Sequence, residues 1–219
     1  MVSDQEHCDM YGDLSHRTQL YYGTITALDD QIGRLWNHLQ KLGVDENTMI
    51  WFCSDNGPED RTPGSAGIFR ERKRSLYEGG VRVPAFVRWK AKFRGGEKTI
   101  YPMVTSDYLP TIIDMLNIEY PLTRPVDGIS LKEALLNNDL ERNSDIGFLF
   151  GNKISWVSDR YKLVSTDQGK TFELYDLLEY KAENHDILSI KTDTAKKLQL
   201  ALEKWMESVK RSGQGEDYQ

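Results

Sequence analysis

The most informative segment of the sequence is Met-Ile-Trp-Phe-Cys at residues 49–53, followed at once by Ser-Asp-Asn-Gly-Pro at residues 54–58. The bulky, β-prone run predicts a strand buried on both faces, as in a parallel α/β sheet. Ligands of such sheets bind just beyond the carboxyl ends of the strands. Asp55 and Asn56 stand at that point and offer oxygen donors of the kind that Ca2+ or Mg2+ prefers. The same residues also fit an ordinary turn after a strand.

A long amphipathic helix is predicted before this strand, from about residue 14 to residue 42. Gly43 is a natural helix end. A second strand is predicted at residues 84–89, and helices at 105–116 and 130–136. Two strands alone would leave apolar faces uncovered, so we expect this region to be part of a larger doubly wound sheet. The apolar face of the long helix comprises Leu20, Ile25, Leu28, Ile32, Leu35, Trp36, Leu39 and Leu42.

The pattern changes after Asn143. Short strands separated by Gly, Asn and Asp turns predict an antiparallel meander. An amphipathic helix follows at about residues 192–210. We therefore predict two domains, residues 1–143 and 144–219, of an α/β protein that ends in a small α+β subdomain. The predicted strands of the meander are residues 146–150, 153–157, 161–165 and 172–175.

Charge is distributed unevenly along the 219 residues. The formal net charge of -6 argues against nucleic acid or an anionic membrane as a partner. No apolar segment approaches the length of a membrane span. Between Arg61 and Lys98, however, eleven Lys and Arg residues face three Glu residues. Such a basic stretch near a cation site favours a small anionic substrate, although it also fits a set of solvated loop charges.

Several motifs together closely resemble the sulfatase family of the alkaline-phosphatase-like superfamily. They are residues 54–58 (SDNGP), Lys73, residues 77–84 (YEGGVRVP) and the helix segment 25–34 (ITALDDQIGR), with further similarity at 106–111 (SDYLPT) and 126–128 (VDG). The resemblance covers nearly the whole chain. It implies an alkaline-phosphatase-like doubly wound sheet, followed by a small subdomain with an antiparallel sheet and a terminal helix.

The resemblance also implies roles for individual residues. Asp55 and Asn56 match half of the family's calcium site, in which Mg2+ is also possible, and the other carboxylates come from a motif near the family's N-terminus. Lys73 matches the catalytic lysine that contacts a sulfate oxygen and steadies charge on the ester oxygen, a task suited to a compact ammonium. Residues 78–80 are similar to a structural turn behind the site, and Arg82 is expected to brace the loop.

The sequence departs from the family at the nucleophile. The family uses a formylglycine made from the cysteine of Cys-X-Pro-Ser-Arg, but Cys8 precedes Asp-Met-Tyr and Cys53 precedes Ser-Asp-Asn. We therefore predict that this chain is the C-terminal portion of a sulfatase and is inactive alone. The intact enzyme is expected to hydrolyse sulfate esters of a carbohydrate or aryl substrate, in a secreted, periplasmic or lysosomal setting.

Two other functions remain open from the sequence. One is a phosphodiesterase or phosphonate hydrolase of the same superfamily. Its phosphatase relatives usually have His-rich two-metal sites, whereas no histidine adjoins Asp55. The other is a non-catalytic anion- or glycan-binding remnant that uses the basic stretch and exposed aromatics. The four histidines are expected to be bystanders: His7, His16, His38 and His185.

Overall fold

The computed structural model describes residues 3–119, 125–137 and 141–216. These residues form two compact units. Unit 1 consists of the described residues up to Ser75 together with Gly79–Gly96. Unit 2 consists of Leu76–Glu78 together with the described residues from Glu97 onward. The predicted boundary at residue 143 falls just before the meander. The helices between residues 105 and 137, however, belong to unit 2 together with the meander.

Unit 1 begins with two helices, α1 (Gln5–Asp9) and α2 (His16–Lys41). The Ser15 hydroxyl caps α2 by accepting a hydrogen bond from the Thr18 amide at 3.4 Å. Gly23 lets α1 approach α2 closely, because a Cβ there would lie 3.2 Å from the backbone nitrogen of Cys8. The predicted helix is therefore confirmed, with its ends within two residues of the expected positions.

The apolar face of α2 is only partly covered by other described residues, with Leu20, Ile32, Trp36 and Leu39 half-buried. Ile25, Leu28 and Leu35 each expose 50% of their surface, and Gly23 is the buried residue of this helix. Helical periodicity therefore predicted the element and its apolar face correctly. It carried no information about what packs against that face.

The decisive apolar run forms β1 (Ile50–Cys53), which pairs with β2 (Ala85–Arg88). The pairing is antiparallel, with Phe52 opposite Phe86 and their rings stacked at 5.2 Å between centroids. β1 is half-buried along its length, and Phe86 is 43% exposed. The prediction of a strand buried on both faces beside parallel neighbours is thus wrong for the described residues. An apolar run predicts a strand but does not fix the direction of its partner.

Unit 2 includes Glu78, the first residue of the short helix α3 (Glu78–Val81). From Glu97 onward it contains a short 3-10 helix (Thr105–Asp107), α4 (Tyr108–Met115) and α5 (Lys132–Asn137). Fully buried Asp107 organises this region by accepting hydrogen bonds from the Val104 and Ile129 amides at 3.0 and 2.9 Å. The Arg142 guanidinium also pairs with it, at 2.8 and 3.0 Å. Asp107 therefore ties the family-like segment at 106–111 to Ile129, which directly follows the family-like segment at 126–128.

The inward face of α4 differs from the prediction. The apolar residues of the predicted helix at 105–116, Leu109, Ile112, Ile113 and Leu116, are the ones that the sequence predicts to face inward. In the structure Leu109 and Leu116 expose 54% and 47% of their surface, while Thr111 and Met115 are buried. Thr111 is accommodated because its hydroxyl donates to the Asp107 carbonyl at 2.6 Å and accepts from the Leu131 amide at 2.9 Å. A satisfied polar residue can therefore occupy the buried face.

The meander is confirmed. Four antiparallel strands lie in the order β3 (Ile146–Phe150), β4 (Lys153–Val157), β5 (Tyr161–Ser165) and β6 (Glu173–Asp176). The terminal helix α6 (Thr192–Gly213) packs against them. Among the described residues, no helix combines the length and the apolar character needed to cross a bilayer. The core between sheet and helix contains Ile154, Trp156, Leu163, Leu174, Ile187, Ala195, Leu198 and Leu202.

Candidate active site

Asp55 and Asn56 follow directly after β1, as the sequence predicts. The Ser54 amide extends the strand pairing by donating to the Pro84 carbonyl at 3.1 Å, and its hydroxyl donates to the Asn56 carbonyl at 3.0 Å. This turn leaves Asp55 exposed and Asn56 half-buried. The Asn56 side-chain amide donates to the Asp55 carboxylate. The pair is therefore held together at the end of the strand.

The donor chemistry of this pair fits a hard divalent cation. A carboxylate and an amide oxygen are ligands that Ca2+ accepts, but Ca2+ takes six to eight oxygens. Within the part of the chain that the structure describes, no group of three or more His, Cys, Asp or Glu side chains could hold a metal ion. Asp55 and Asn56 are therefore suitable ligands that need further donors to complete a site.

Directly after Asp55 and Asn56, the backbone at Gly57 crosses close to the backbone at residues 79–80. The Gly57 amide donates to the Gly80 carbonyl at 2.9 Å. A Cβ on Gly57 would lie 1.9 Å from the Gly79 carbonyl oxygen, so no side chain fits there. The Gly79 amide in turn donates to the Arg70 carbonyl at 2.8 Å. Residues 78–80, which resemble a structural turn of the family, lie in the short helix α3 (Glu78–Val81), and their glycines are needed for this contact.

The backbone of Lys73 lies next to the loop that follows Asp55 and Asn56. Its amide donates to the Pro58 carbonyl at 3.1 Å, three residues after Asp55. Its ammonium, with 34% of the side chain exposed, lies 3.5 Å from a Glu59 carboxylate oxygen. The Arg74 guanidinium also pairs with Glu59. A hydrogen bond from Arg74 is the main cause that lowers the pKa of Glu59, so this carboxylate is ionised near neutral pH.

Several side chains of the basic stretch have internal partners. The Arg72 guanidinium donates to the Glu59 carbonyl at 3.0 Å. Arg82 lies over the Phe69 ring at 4.9 Å. Arg88 stacks on Trp36 at 3.4 Å and lies 3.7 Å from Asp45. Much of this positive charge therefore supports the loops of unit 1.

The remaining candidates do not join the site. His7 hydrogen-bonds to Asp30 at 2.9 Å, and the His185 ring lies 5.0 Å from the Tyr180 ring. Cys8 is buried in α1, and Cys53 is half-buried in β1. Neither cysteine stands in a formylglycine motif. No residue of this chain is thereby assigned as the nucleophile.

Sequence reasoning missed the polar residues that bind the turn at residues 77–78. They include buried Lys162 of β5 and buried Glu183, together with half-buried Glu173. The available signal was a lysine inside an otherwise apolar strand. Such a lysine more often extends from a strand into solvent, so the pattern did not distinguish the two cases.

Comparison with known proteins identifies the class. The fold of the described residues matches that of solved structures, among them the putative sulfatase yidJ from Bacteroides fragilis, which is 20% identical and superposes with a TM-score of 0.74. The sulfatase family model matches residues 3–118, and the model for "N-sulphoglucosamine sulphohydrolase, C-terminal" matches residues 64–212. The chain therefore belongs to the sulfatase family, and both the predicted resemblance and the α/β fold class are confirmed.

Individual relatives are sulfatases. Steryl-sulfatase of Rattus norvegicus is 33% identical over 138 residues, which is 59% of this chain and 24% of that protein. N-acetylgalactosamine-6-sulfatase of Mus musculus is 29% identical over 142 residues, covering 63% of this chain and 27% of that protein. The chain thus spans about a quarter of the length of these curated relatives.

A solved structure covers more of the chain. The crystal structure of Ps i-CgsB in complex with k-i-k-neocarrahexaose superposes with a TM-score of 0.86 and is 22% identical. It covers 93% of this chain, which corresponds to 46% of that protein. The described residues therefore share the fold of about half of that structure.

Proposed function

We propose that this chain contributes a calcium-ligand pair and a sulfate-binding lysine to an enzyme that hydrolyses sulfate esters of a carbohydrate. The observation that carries the proposal is the hydrogen bond from the Lys73 amide to the Pro58 carbonyl, at 3.1 Å. This hydrogen bond holds the backbone of Lys73 next to the loop that contains Asp55 and Asn56. Family membership supports the reading of these residues as parts of one anion site.

Each residue has a distinct task in this proposal. Asp55 and Asn56 hold the cation, with further oxygen donors from outside the described residues. When bound, Ca2+ supplies fixed positive charge for the sulfate group. The Lys73 ammonium donates hydrogen bonds to a sulfate oxygen and stabilises charge that develops on the ester oxygen. Glu59 lies beside Lys73 and keeps its side chain near the loop when no sulfate is present.

A carbohydrate sulfate is the substrate class with the best support. One relative is an N-acetylgalactosamine-6-sulfatase, and Ps i-CgsB is solved with a neocarrahexaose. Lys73 and the exposed Arg74 place positive charge at the surface of unit 1, where an anionic sugar could reach it. The membership in the sulfatase family favours sulfate over phosphonate or phosphodiester substrates.

The test begins with the coding sequence upstream of Met1, which is read for an in-frame Cys-X-Pro-Ser-Arg motif. The polypeptide that joins this motif to the present residues is produced in a host that forms formylglycine. Hydrolysis of 4-nitrophenyl sulfate and of 6-sulfated N-acetylgalactosamine is then measured, with calcium and after chelation. We expect Lys73→Ala and Asp55→Ala to lower kcat/KM about 100-fold or more. Lys92→Ala, an exposed lysine of the same unit, serves as the matched control and leaves it unchanged.

Three results would overturn the proposal. They are an upstream sequence without the motif, turnover that survives Lys73→Ala, and a preference for phosphonate or phosphodiester over sulfate. The 219-residue chain by itself is expected to give no turnover. Aryl sulfate hydrolysis by the purified chain would contradict the assignment of the nucleophile to another segment.

A further inference from the structure

The Glu59 carboxylate lies between two cations of unit 1. One of its oxygens pairs with the Arg74 guanidinium and accepts a hydrogen bond from the Asp60 amide at 3.1 Å. The other oxygen lies 3.5 Å from the Lys73 ammonium, which exceeds the length of about 2.7–2.9 Å of a strong charge-assisted hydrogen bond. The hydrogen bond from Arg74 lowers the pKa of Glu59, so this side chain is an anion near neutral pH. It is therefore held closely by Arg74 and loosely by Lys73.

The backbone of Glu59 is fixed independently of these ion pairs. Its carbonyl accepts hydrogen bonds from the Thr62 hydroxyl at 2.7 Å and from the Arg72 guanidinium at 3.0 Å. Only the Lys73 side chain therefore has to move for its ammonium to leave Glu59. The carboxylate keeps a cationic partner when this happens, because its hydrogen bond from Arg74 involves the other oxygen.

Arg74 occupies a backbone conformation that favours glycine. Its φ is +70°, in the left-handed region where a side chain causes strain. A glycine here would avoid the strain but would lack the guanidinium that binds Glu59. Strained residues of this kind persist where surrounding contacts hold them, and they are concentrated at functional sites. The conformation therefore supports a function for the arginine side chain beside Lys73.

We propose that Glu59 competes with sulfate for the Lys73 ammonium, and that Arg74 limits this competition by holding the carboxylate on its other side. The inference rests on the proposed function, in which Lys73 binds the sulfate group, and it adds a residue that promotes release of the product. When sulfate is bound, Lys73 contacts the sulfate and Glu59 stays with Arg74. When sulfate leaves, the ammonium returns to Glu59 and keeps an anionic partner. Inorganic sulfate is thereby bound less tightly than it would be by Lys73 without Glu59.

The test measures inhibition by inorganic sulfate in the intact sulfatase of the proposed function. Assays use 4-nitrophenyl sulfate at an ionic strength of about 0.15 M, where exposed charges farther apart than about 8 Å are largely screened. Glu59→Gln keeps the shape of the side chain and removes its charge. We expect the inhibition constant Ki of sulfate to fall about 2- to 5-fold, as for loss of an exposed ion pair, with no gain in kcat. A merely structural role of Glu59 would instead raise Ki.

Two further variants test whether the effect is specific. Glu71→Gln is the matched control, because it removes an exposed carboxylate two residues before Lys73, and it should change Ki by less than about 1.5-fold. Arg74→Gly removes the guanidinium and relieves the backbone strain. It frees Glu59 to approach Lys73, so Ki should rise about 2-fold or more. In a Glu59→Gln background the same substitution should change Ki by less than about 1.5-fold, because the competing charge is already absent.

The competition is also measured without turnover, on the 219-residue chain. The Lys73 backbone amide is followed by NMR while sodium sulfate replaces sodium chloride at constant ionic strength. The half-saturating sulfate concentration should fall about 2- to 5-fold in Glu59→Gln and stay unaltered in Glu71→Gln. A titration of folded Glu59→Gln that matches the parent would contradict the proposal.

The two proposals fail in different ways. An unchanged Ki of sulfate in Lys73→Ala refutes the proposed function. A raised Ki in Lys73→Ala, together with an unchanged or raised Ki in Glu59→Gln, refutes the competition alone. Equal decreases of Ki in Glu59→Gln and Glu71→Gln also refute it, because the effect would then be one of overall charge. A rise of Ki in Arg74→Gly that persists in the Glu59→Gln background refutes the role given to Arg74.

Discussion

Gly57→Ala tests the backbone crossing behind the candidate metal pair. A Cβ on Gly57 would lie 1.9 Å from the Gly79 carbonyl oxygen, 2.9 Å from its carbon and 3.1 Å from the Gly80 Cα. All three neighbours are backbone atoms, which have no alternative rotamer. Since real Cβ contacts stay beyond 3.0 Å, the segments must separate by 1.1 Å (3.0 minus 1.9).

The separation has a calculable consequence for stability. Overpacking of this kind costs about 1–3 kcal/mol. The hydrogen bond from the Gly57 amide to the Gly80 carbonyl, now 2.9 Å, would be lost or lengthened, at a further cost of about 0.5–1.5 kcal/mol. We therefore expect Gly57→Ala to destabilise unit 1 by roughly 1.5–4.5 kcal/mol. The displacement also moves Asn56, which precedes Gly57, so on the proposed function it should weaken binding of the cation.

The assay is urea unfolding of the 219-residue chain, with hydrogen–deuterium exchange to assign the effect to unit 1. Gly33→Ala is the matched control. Gly33 lies within α2, and a Cβ there meets nothing within 4 Å. The control is expected to stabilise the helix by up to about 1 kcal/mol, the reverse sign. A Gly57→Ala chain that is as stable as the parent, with unaltered exchange at residues 70–82, would refute the account of the crossing.

Further predictions concern unit 2. Leu202→Ala, at a position 1% exposed, should cost about 2–5 kcal/mol in urea unfolding, whereas Leu200→Ala, 59% exposed on the same helix, should change stability by less than about 0.5 kcal/mol. Gly147→Ala should cost about 1–3 kcal/mol in the same assay, because its Cβ would lie 2.4 Å from an indole ring of α6. The pKa of Asp167 is lowered from 3.8 to about 2, chiefly by the Thr171 amide. The stability contributed by ionised Asp167 is therefore present above about pH 4 and is lost as the pH falls through about 2. Asp167→Asn should therefore make the free energy of unfolding depend less on pH in this range.

Each of these results has a contrary outcome that would decide against its reasoning. Equal effects of the two leucine substitutions would mean that α6 does not pack as described. A neutral Gly147→Ala would show that the indole moves aside easily. Parallel acid unfolding curves for the parent and Asp167→Asn would show that the loop hydrogen bonds do not persist in solution.

The local features of the fold were predictable from the sequence. The strands at 146–150, 153–157 and 161–165 match β3, β4 and β5 to the residue. Turn residues and short apolar runs are local signals, and neighbouring antiparallel strands require no information from elsewhere in the chain. The same is true of Asp55 and Asn56, whose position at the end of β1 follows from the apolar run before them.

The non-local features were not predictable in this way. The sequence does not say that β1 runs antiparallel to β2, or that Ile25 and Leu28 lie exposed on α2. Nor does it pair Lys162 with Glu78, 84 residues earlier. A charged residue is normally expected at the surface, and only the fold shows which opposite charge shares its interior position. The roles of Asp55, Asn56 and Lys73 as ligands remain predictions.

The hydrogen bond between the Glu78 amide and Glu183 also sets an order of events during synthesis, because 105 residues separate the two partners. A ribosome adding about 5–20 residues per second makes Glu183 roughly 5–20 s after Glu78. Throughout that interval the turn at residues 77–78 lacks its buried partner Glu183. Chaperones and proteases therefore meet this loop before its final shape is available, and a late stop codon that removed Glu183 would make that vulnerable period permanent.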